Sequence, residues 1–228
     1  MESKKYIDDL SEIKSLMNKS SRFMSLSGLS GILAGIYALI GFFFVYRELA
    51  FQILPGISAD NLPRGTSSGL GGLLNAFTGG YLETHYNFAT IEIASIGILI
   101  LLAAIATGII LTARKAKKQK EKVWNNASKR LLLNFMFPLG AGAVFCAVLL
   151  QYRIIGLIGP ATLIFYGLAL INASKYTIGD IKYLGIANVI IGLVATQFIG
   201  YGLFFWALGF GIFHIIYGAR MYFKYDRA

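Results

Sequence analysis

The sequence predicts an all-α integral membrane protein with six transmembrane helices, and three observations carry that expectation. First, 56% of the 228 residues are hydrophobic and only 14% are charged. Soluble domains run near 45–50% apolar and about 25% charged, so there are too few charges here to coat a soluble globule. Second, the apolar residues gather in six runs close to the roughly 20 residues that cross a bilayer as a helix. Third, every lysine and arginine except Arg47, Arg64 and Arg153 falls in a segment that six crossings place on one side. The positive-inside rule makes that side the cytoplasm, so both termini are expected there.

The predicted spans cover residues 23–46, 88–113, 131–150, 154–173, 183–199 and 203–221. They are continuously apolar, whereas a membrane strand alternates polar and apolar residues. Continuous runs demand helix, because no water is present to satisfy the backbone. Spans three and four are joined by Gln151, Tyr152 and Arg153 alone, and spans five and six by "GYG" at 200–202. Links this short make each pair a tight antiparallel hairpin.

Residues 1–22 are polar, so no cleavable signal peptide is expected, and they form the first of two domains. Tyr6, Leu10, Ile13 and Met17 fall on one helical face there, with Asp8, Asp9, Glu12 and Lys14 elsewhere. That pattern predicts an amphipathic cytoplasmic helix lying on the bilayer or docking a partner. Residues 23–228 form the membrane domain. Its outer loop, 47–87, is turn-rich, then Gly-rich and apolar over 69–80, a length that suits an interfacial or re-entrant piece.

The inner loop 114–130 begins "RKAKKQKEK" in a chain of formal net charge +10. A nucleic-acid reader would need such residues on a folded polar domain beside base-reading groups. Between two spans, Arg114, Lys115, Lys117, Lys118, Lys120 and Lys122 instead fix topology and attract anionic lipid headgroups. The expected partners are therefore the lipid bilayer with its anionic lipids and a second copy or another protein, not nucleic acid. The loop holds no Gly or Pro, so the second helix is expected to run on into it.

Ionisable groups inside spans are expensive and mark candidate sites. Glu92, near the outer start of span two, and His214, in the inner half of span six, stand out. Each has a plain alternative: Glu92 hydrated at the interface, and His214 neutral and bonded to a carbonyl or a tyrosine. Asn134, Asn172, Asn188, Thr107, Thr196 and Gln197 add polar points that can bridge helices at about 0.6 kcal/mol each. Small residues spaced for tight helix packing are Gly28, Gly31 and Gly35, Ala104 with Gly108, and Ala207 with Gly211. Pro138 is placed to kink span three. The single cysteine, Cys146, and two histidines give no expected metal site, and no cofactor motif is present.

Short matches in preserved order, "ALI" at 38–40 and 169–171, "AT" at 106–107 and 195–196, and "LGAG" at 139–142 with "LGFG" at 208–211, suggest an inverted 3+3 repeat. The C-terminal half, "LIFYGLALINASKYTIGDIKYLGIANVIIGLV" and "GYGLFFWALGFGIFHIIYGARMYFKYD", resembles a group of uncharacterised small bacterial six-span membrane proteins. That resemblance implies the bacterial inner membrane and carries no activity or site residues. The sequence thus supports a non-enzymatic, oligomeric or partner-binding membrane module. The alternative is a small transporter or channel for protons, cations or small solutes, with His214 or Glu92 in its path. An intramembrane enzyme is the third reading, and the spans hold no aspartate for an aspartyl type.

Overall fold

A computed structural model of the chain describes residues 27–53, 86–118 and 123–226. The expected N-terminal amphipathic helix, most of the outer loop, and Lys120 and Lys122 lie outside those residues. Among the described residues the fold is helical throughout, and five helices are long and apolar enough to cross a membrane. The coarse expectation of an all-α fold with several apolar helices of membrane-crossing length is met among those residues.

Helix α1 is Gly28–Ile53 and α2 is Tyr86–Lys118. The first outlasts its predicted span, since the sequence holds no proline from 47 to 53. The second continues into the basic segment as expected, and Lys115, Lys117 and Lys118 sit in its last turn, where the helix dipole favours cations. Helix α3, Asn126–Gln151, starts earlier than predicted because Asn125 and Ser128 form a reciprocal capping box. Its end closes with amides of Arg153 and Ile154 donating to the carbonyls of Leu150 and Leu149. That closure needs a left-handed residue, and Arg153 takes the role glycine usually fills, at φ 57°.

Helix α4 is Ile158–Ala173, flanked by single 3₁₀ turns at Ile155–Leu157 and Ser174–Tyr176. Helix α5 is Ile181–Ala195, shorter than the predicted span. Its 15 residues rise about 22 Å at 1.5 Å each, less than the roughly 30 Å hydrocarbon core. Past Ala195 the backbone tightens, with the amides of Thr196, Gln197 and Phe198 donating to the carbonyls three residues back. Gly200, at φ 101°, then redirects the chain. Helix α6 runs through four consecutive stretches: α-helical Gly202–Trp206, a wide π-helical turn at Ala207–Ile212, α-helical Phe213–Met221 and π-helical Tyr222–Asp226.

Helix α1 packs along α6 on one side and against α2 on the other; α4 packs between α3 and α5 and meets α6. The outermost helices are α2 and α3. None of the spanning window of α2 is buried, and only 6% of that of α3, against 33% for α4 and for α6. Glycine sets the closest approaches. A Cβ on Gly35 would lie 2.6 Å from the Gly211 carbonyl oxygen, and one on Gly218 2.5 Å from the Ile32 nitrogen. Gly167 and Gly185 meet reciprocally across α4 and α5, each Cβ position within 2.7 Å of the other's carbonyl oxygen. Such backbone contact gives dispersion without side-chain entropy cost, the main glue between helices in lipid.

Pro138 lies inside α3 and has no amide hydrogen, so the carbonyl of Asn134 loses its helical donor. The Asn172 side chain of α4 fills that vacancy, donating to the Asn134 carbonyl at 2.8 Å. The proline and the two asparagines thus form one closed polar joint between α3 and α4.

Candidate functional site

The site is built on the wide turn of α6. Leu208-Gly209-Phe210-Gly211 carries two glycines, which weaken ordinary helix, and the backbone there widens so that the Phe213 amide donates to the Leu208 carbonyl. Single π-turns inside helices recur at functional positions. The widening offers the Gly209 carbonyl to the side chain of His214, whose Nδ1 lies 2.8 Å away. A carbonyl oxygen only accepts, so Nδ1 carries the proton. Nε2 is then an acceptor in the neutral ring, and the Tyr166 hydroxyl of α4, 2.7 Å away, donates to it. His214 is 6% exposed.

Aromatic rings enclose the pair. Phe210 stacks on His214 with centroids 5.9 Å apart and tilts over Tyr166 at 4.9 Å. Phe135 of α3 meets Tyr166 edge-on at 87°. Trp206 covers Phe210 at 5.1 Å.

Two further polar atoms are sealed nearby without a hydrogen-bond partner: Oδ1 of Asn188 and the hydroxyl of Tyr217. Asn188, on α5, is wholly buried, and its Nδ2 donates to the Leu184 carbonyl one turn back. Its free Oδ1 lies against Gly209, where a Cβ would come within 2.7 Å. Gly209 therefore admits the asparagine and also orients the histidine. Tyr166 and Tyr217 both pack on the apolar cluster of Leu170, Ile181 and Leu184.

At the end of the bundle beyond Tyr217, Lys224 of α6 pairs with Asp180, in the turn before α5, at 2.8 Å. The Tyr225 hydroxyl donates to the same carboxylate oxygen at 3.3 Å. The Lys224 hydrogen bond, with its charge, holds the Asp180 carboxyl below the usual carboxylate range.

Glu92 lies in the early turns of α2, which packs against α1, whereas His214 is enclosed by α4 and α6. Gly28, Gly31 and Gly35 face α6, and Gly211 receives Leu39 from α1. Ala207 is buried in the wide turn. Gly108, one turn beyond Ala104, has no atom near its Cβ position. Arg114, Lys115, Lys117 and Lys118 end α2. Of the polar points, Thr107 bonds Tyr37 of α1 at 3.3 Å and Asn172 bonds Asn134; Asn188, Thr196 and Gln197 bond only within their own segments.

Sequence reasoning passed over Tyr166, Tyr217, Gly209 and the Asp180–Lys224–Tyr225 cluster. Only Tyr217 carried a signal, since it follows His214 at the i+3 position and so shares its helix face. No protein-family model, no curated protein and no solved structure matches the chain.

Proposed function

We propose that this chain is a six-span bacterial inner-membrane protein, with both termini cytoplasmic, that passes protons or a small polar solute by way of His214. One observation carries the reading. The buried Tyr166–His214 pair sits on a π-distorted helix beside two sealed, unpartnered polar atoms. Each unsatisfied group costs about 1–3 kcal/mol, and an apolar interior would avoid that cost. Little buried polarity is legible as a cluster in the sequence; the fold gathers it from α4, α5 and α6 into one place.

The topology has support of its own. The contacts of Tyr37 with Thr107 and of Gly41 with Ile100 run α1 and α2 antiparallel. The hairpins α3–α4 and α5–α6 do the same. The basic ends of α2 and α6, the start of α3 and the α4–α5 turn then share one end of the bundle. In this reading that end, marked by Asp180, faces the cytoplasm. Helix α5 completes the sixth crossing together with the turn residues that follow it.

The neutral tautomer of His214 is suited to the chemistry. Nε2 is a base already bonded to a hydroxyl, and protonation would convert Tyr166 from donor to acceptor without moving either ring. In proteoliposomes, the wild-type protein is expected to carry proton flux above background and His214→Ala to abolish it, with Glu92→Gln near wild type. Background flux in all three ends the transport reading. A second reading, a module that acts by lateral association, is favoured by the wholly unburied spanning window of α2.

A further inference from the structure

The polar centre has two unlike ends. Toward the start of α6 it is closed by hydrocarbon, since Phe210 covers both His214 and Tyr166 and Trp206 covers Phe210. Toward the end of α6 hydroxyls and charges succeed one another. Tyr217 stands one turn beyond His214, on the same apolar cluster as Tyr166. That cluster also includes Ile181, the residue that follows Asp180. The Tyr217 hydroxyl is sealed from solvent and has no hydrogen-bond partner. Asp180, in turn, is held by Lys224 and Tyr225 and is partly open to solvent.

A phenylalanine at 217 would keep the ring packing and avoid an unsatisfied hydroxyl, so packing alone does not account for the tyrosine. We propose that Tyr217 is the relay hydroxyl through which a proton passes between the Asp180 end of the bundle and the Tyr166–His214 pair. The inference rests on the reading that His214 takes up a proton. Tyr166 gives its proton to Nε2 of His214, Tyr217 gives its own to the Tyr166 oxygen, and a hydronium ion gathered at Asp180 restores Tyr217. Each phenolic oxygen loses one O–H bond and gains one, and hydronium leaves as water. The net result is one proton on the imidazole, whose Nδ1 hydrogen bond to Gly209 persists. No electrons are exchanged. The relay is open in this structure, because the Tyr217 hydroxyl has no hydrogen-bond partner.

The test uses the full chain in phospholipid nanodiscs, ¹⁵N-labelled at histidine and carrying His85→Gln so that one imidazole is observed. The rate of proton exchange at the His214 ring is read by NMR. Tyr217→Phe is expected to slow that exchange about a hundredfold, the scale of one positioned proton-transfer group. The His214 shift that reports its Tyr166 contact should be retained, and Tyr183→Phe, exposed on α5, should exchange as wild type does. Wild-type exchange in Tyr217→Phe overturns the relay, as does acceleration by Trp206→Ala without any effect of Tyr217→Phe. If either occurs while His214→Ala still abolishes flux, the transport reading stands and only the route is wrong. If His214→Ala carries wild-type flux, that reading falls, whatever the exchange rates.

Discussion

Helix α6 has two faces, and they are built on opposite principles. Toward α1 it presents Gly211 and Gly218, which admit Leu39 and the backbone around Ile32. Among the described residues no buried polar side-chain atom is left without a partner there, and the seam is closed by backbone contact. Toward α4 and α5 the same helix presents the Gly209 carbonyl, His214 and Tyr217. There the packing is aromatic, one hydroxyl and one amide oxygen lack partners, and the backbone is widened. The first face is a fixed hinge plate with no room to adjust. The second has surplus hydrogen-bonding capacity, which the proposed proton path would use. One helix can thus hold the bundle together and leave its opposite side free to respond.

Breaking the rigid face should have the largest effect. Gly218→Leu drives a side chain into the backbone of α1, and neither Ile32 nitrogen nor Gly28 oxygen can swing aside. Overpacking typically costs about 1–3 kcal/mol, and a clash with backbone should sit at or above the top of that range. Thermal unfolding in detergent is expected to show a lower midpoint for Gly218→Leu than for Ile216→Ala, a change at an exposed position on the same helix. Equal midpoints would mean that the α1–α6 seam is looser than its geometry.

The joint between α3 and α4 separates polarity itself from unsatisfied polarity. It is polar, like the α4–α6 contact, yet closed, because Asn172 answers the vacancy left by Pro138. Asn172→Leu should cost about 1–3 kcal/mol by stranding the Asn134 carbonyl. Pro138→Ala restores a helical donor to that carbonyl, so the double variant should recover most of the loss, a coupling readable in a double-mutant cycle. Additive losses would show that Asn172 stabilises through packing alone. A cluster of this kind should leave proton flux at its wild-type level, in contrast to His214→Ala.

How much of this was legible follows from which physical signal each part used. Hydropathy located the six helices α1 to α6 among the described residues, because lipid exposure demands continuous apolar runs, and the seam glycines Gly28, Gly31 and Gly35 followed from spacing. The ends of α3 and α5 were not placed. Asn125 and Ser128 cap by side-chain geometry inside a basic stretch, and α5 ends in tight backbone turns that apolar averaging ignores. The Asn134–Asn172 joint was readable in principle, since a proline at 138 frees the carbonyl four residues back. The polar centre was legible only at His214. Tyr166 is one of 13 tyrosines, and nothing in its surroundings marks it as facing a helix that comes later in the chain. The wide turn in α6 showed only as two glycines in a chain rich in them.

The smallest expected effect is at the end of the responsive face, where Asp180 ties the turn before α5 to the end of α6. Its carboxyl is held below the usual value chiefly by the Lys224 hydrogen bond. A carboxyl with a depressed folded-state pKa adds stability that is fully present above the unfolded value, near 3.9, and is lost as pH falls through the folded one. Asp180→Asn should therefore lower the thermal midpoint slightly at about pH 7, and the gap from wild type should close as pH falls below about 3.9. Lys224 is half exposed, so solvent and salt screen the pair, and raising ionic strength should shrink the same gap. If the gap persists at low pH, Asp180 acts through its shape in the turn and not its charge. The responsive face would then end at Tyr217, and protons would reach it without a charged residue at the mouth.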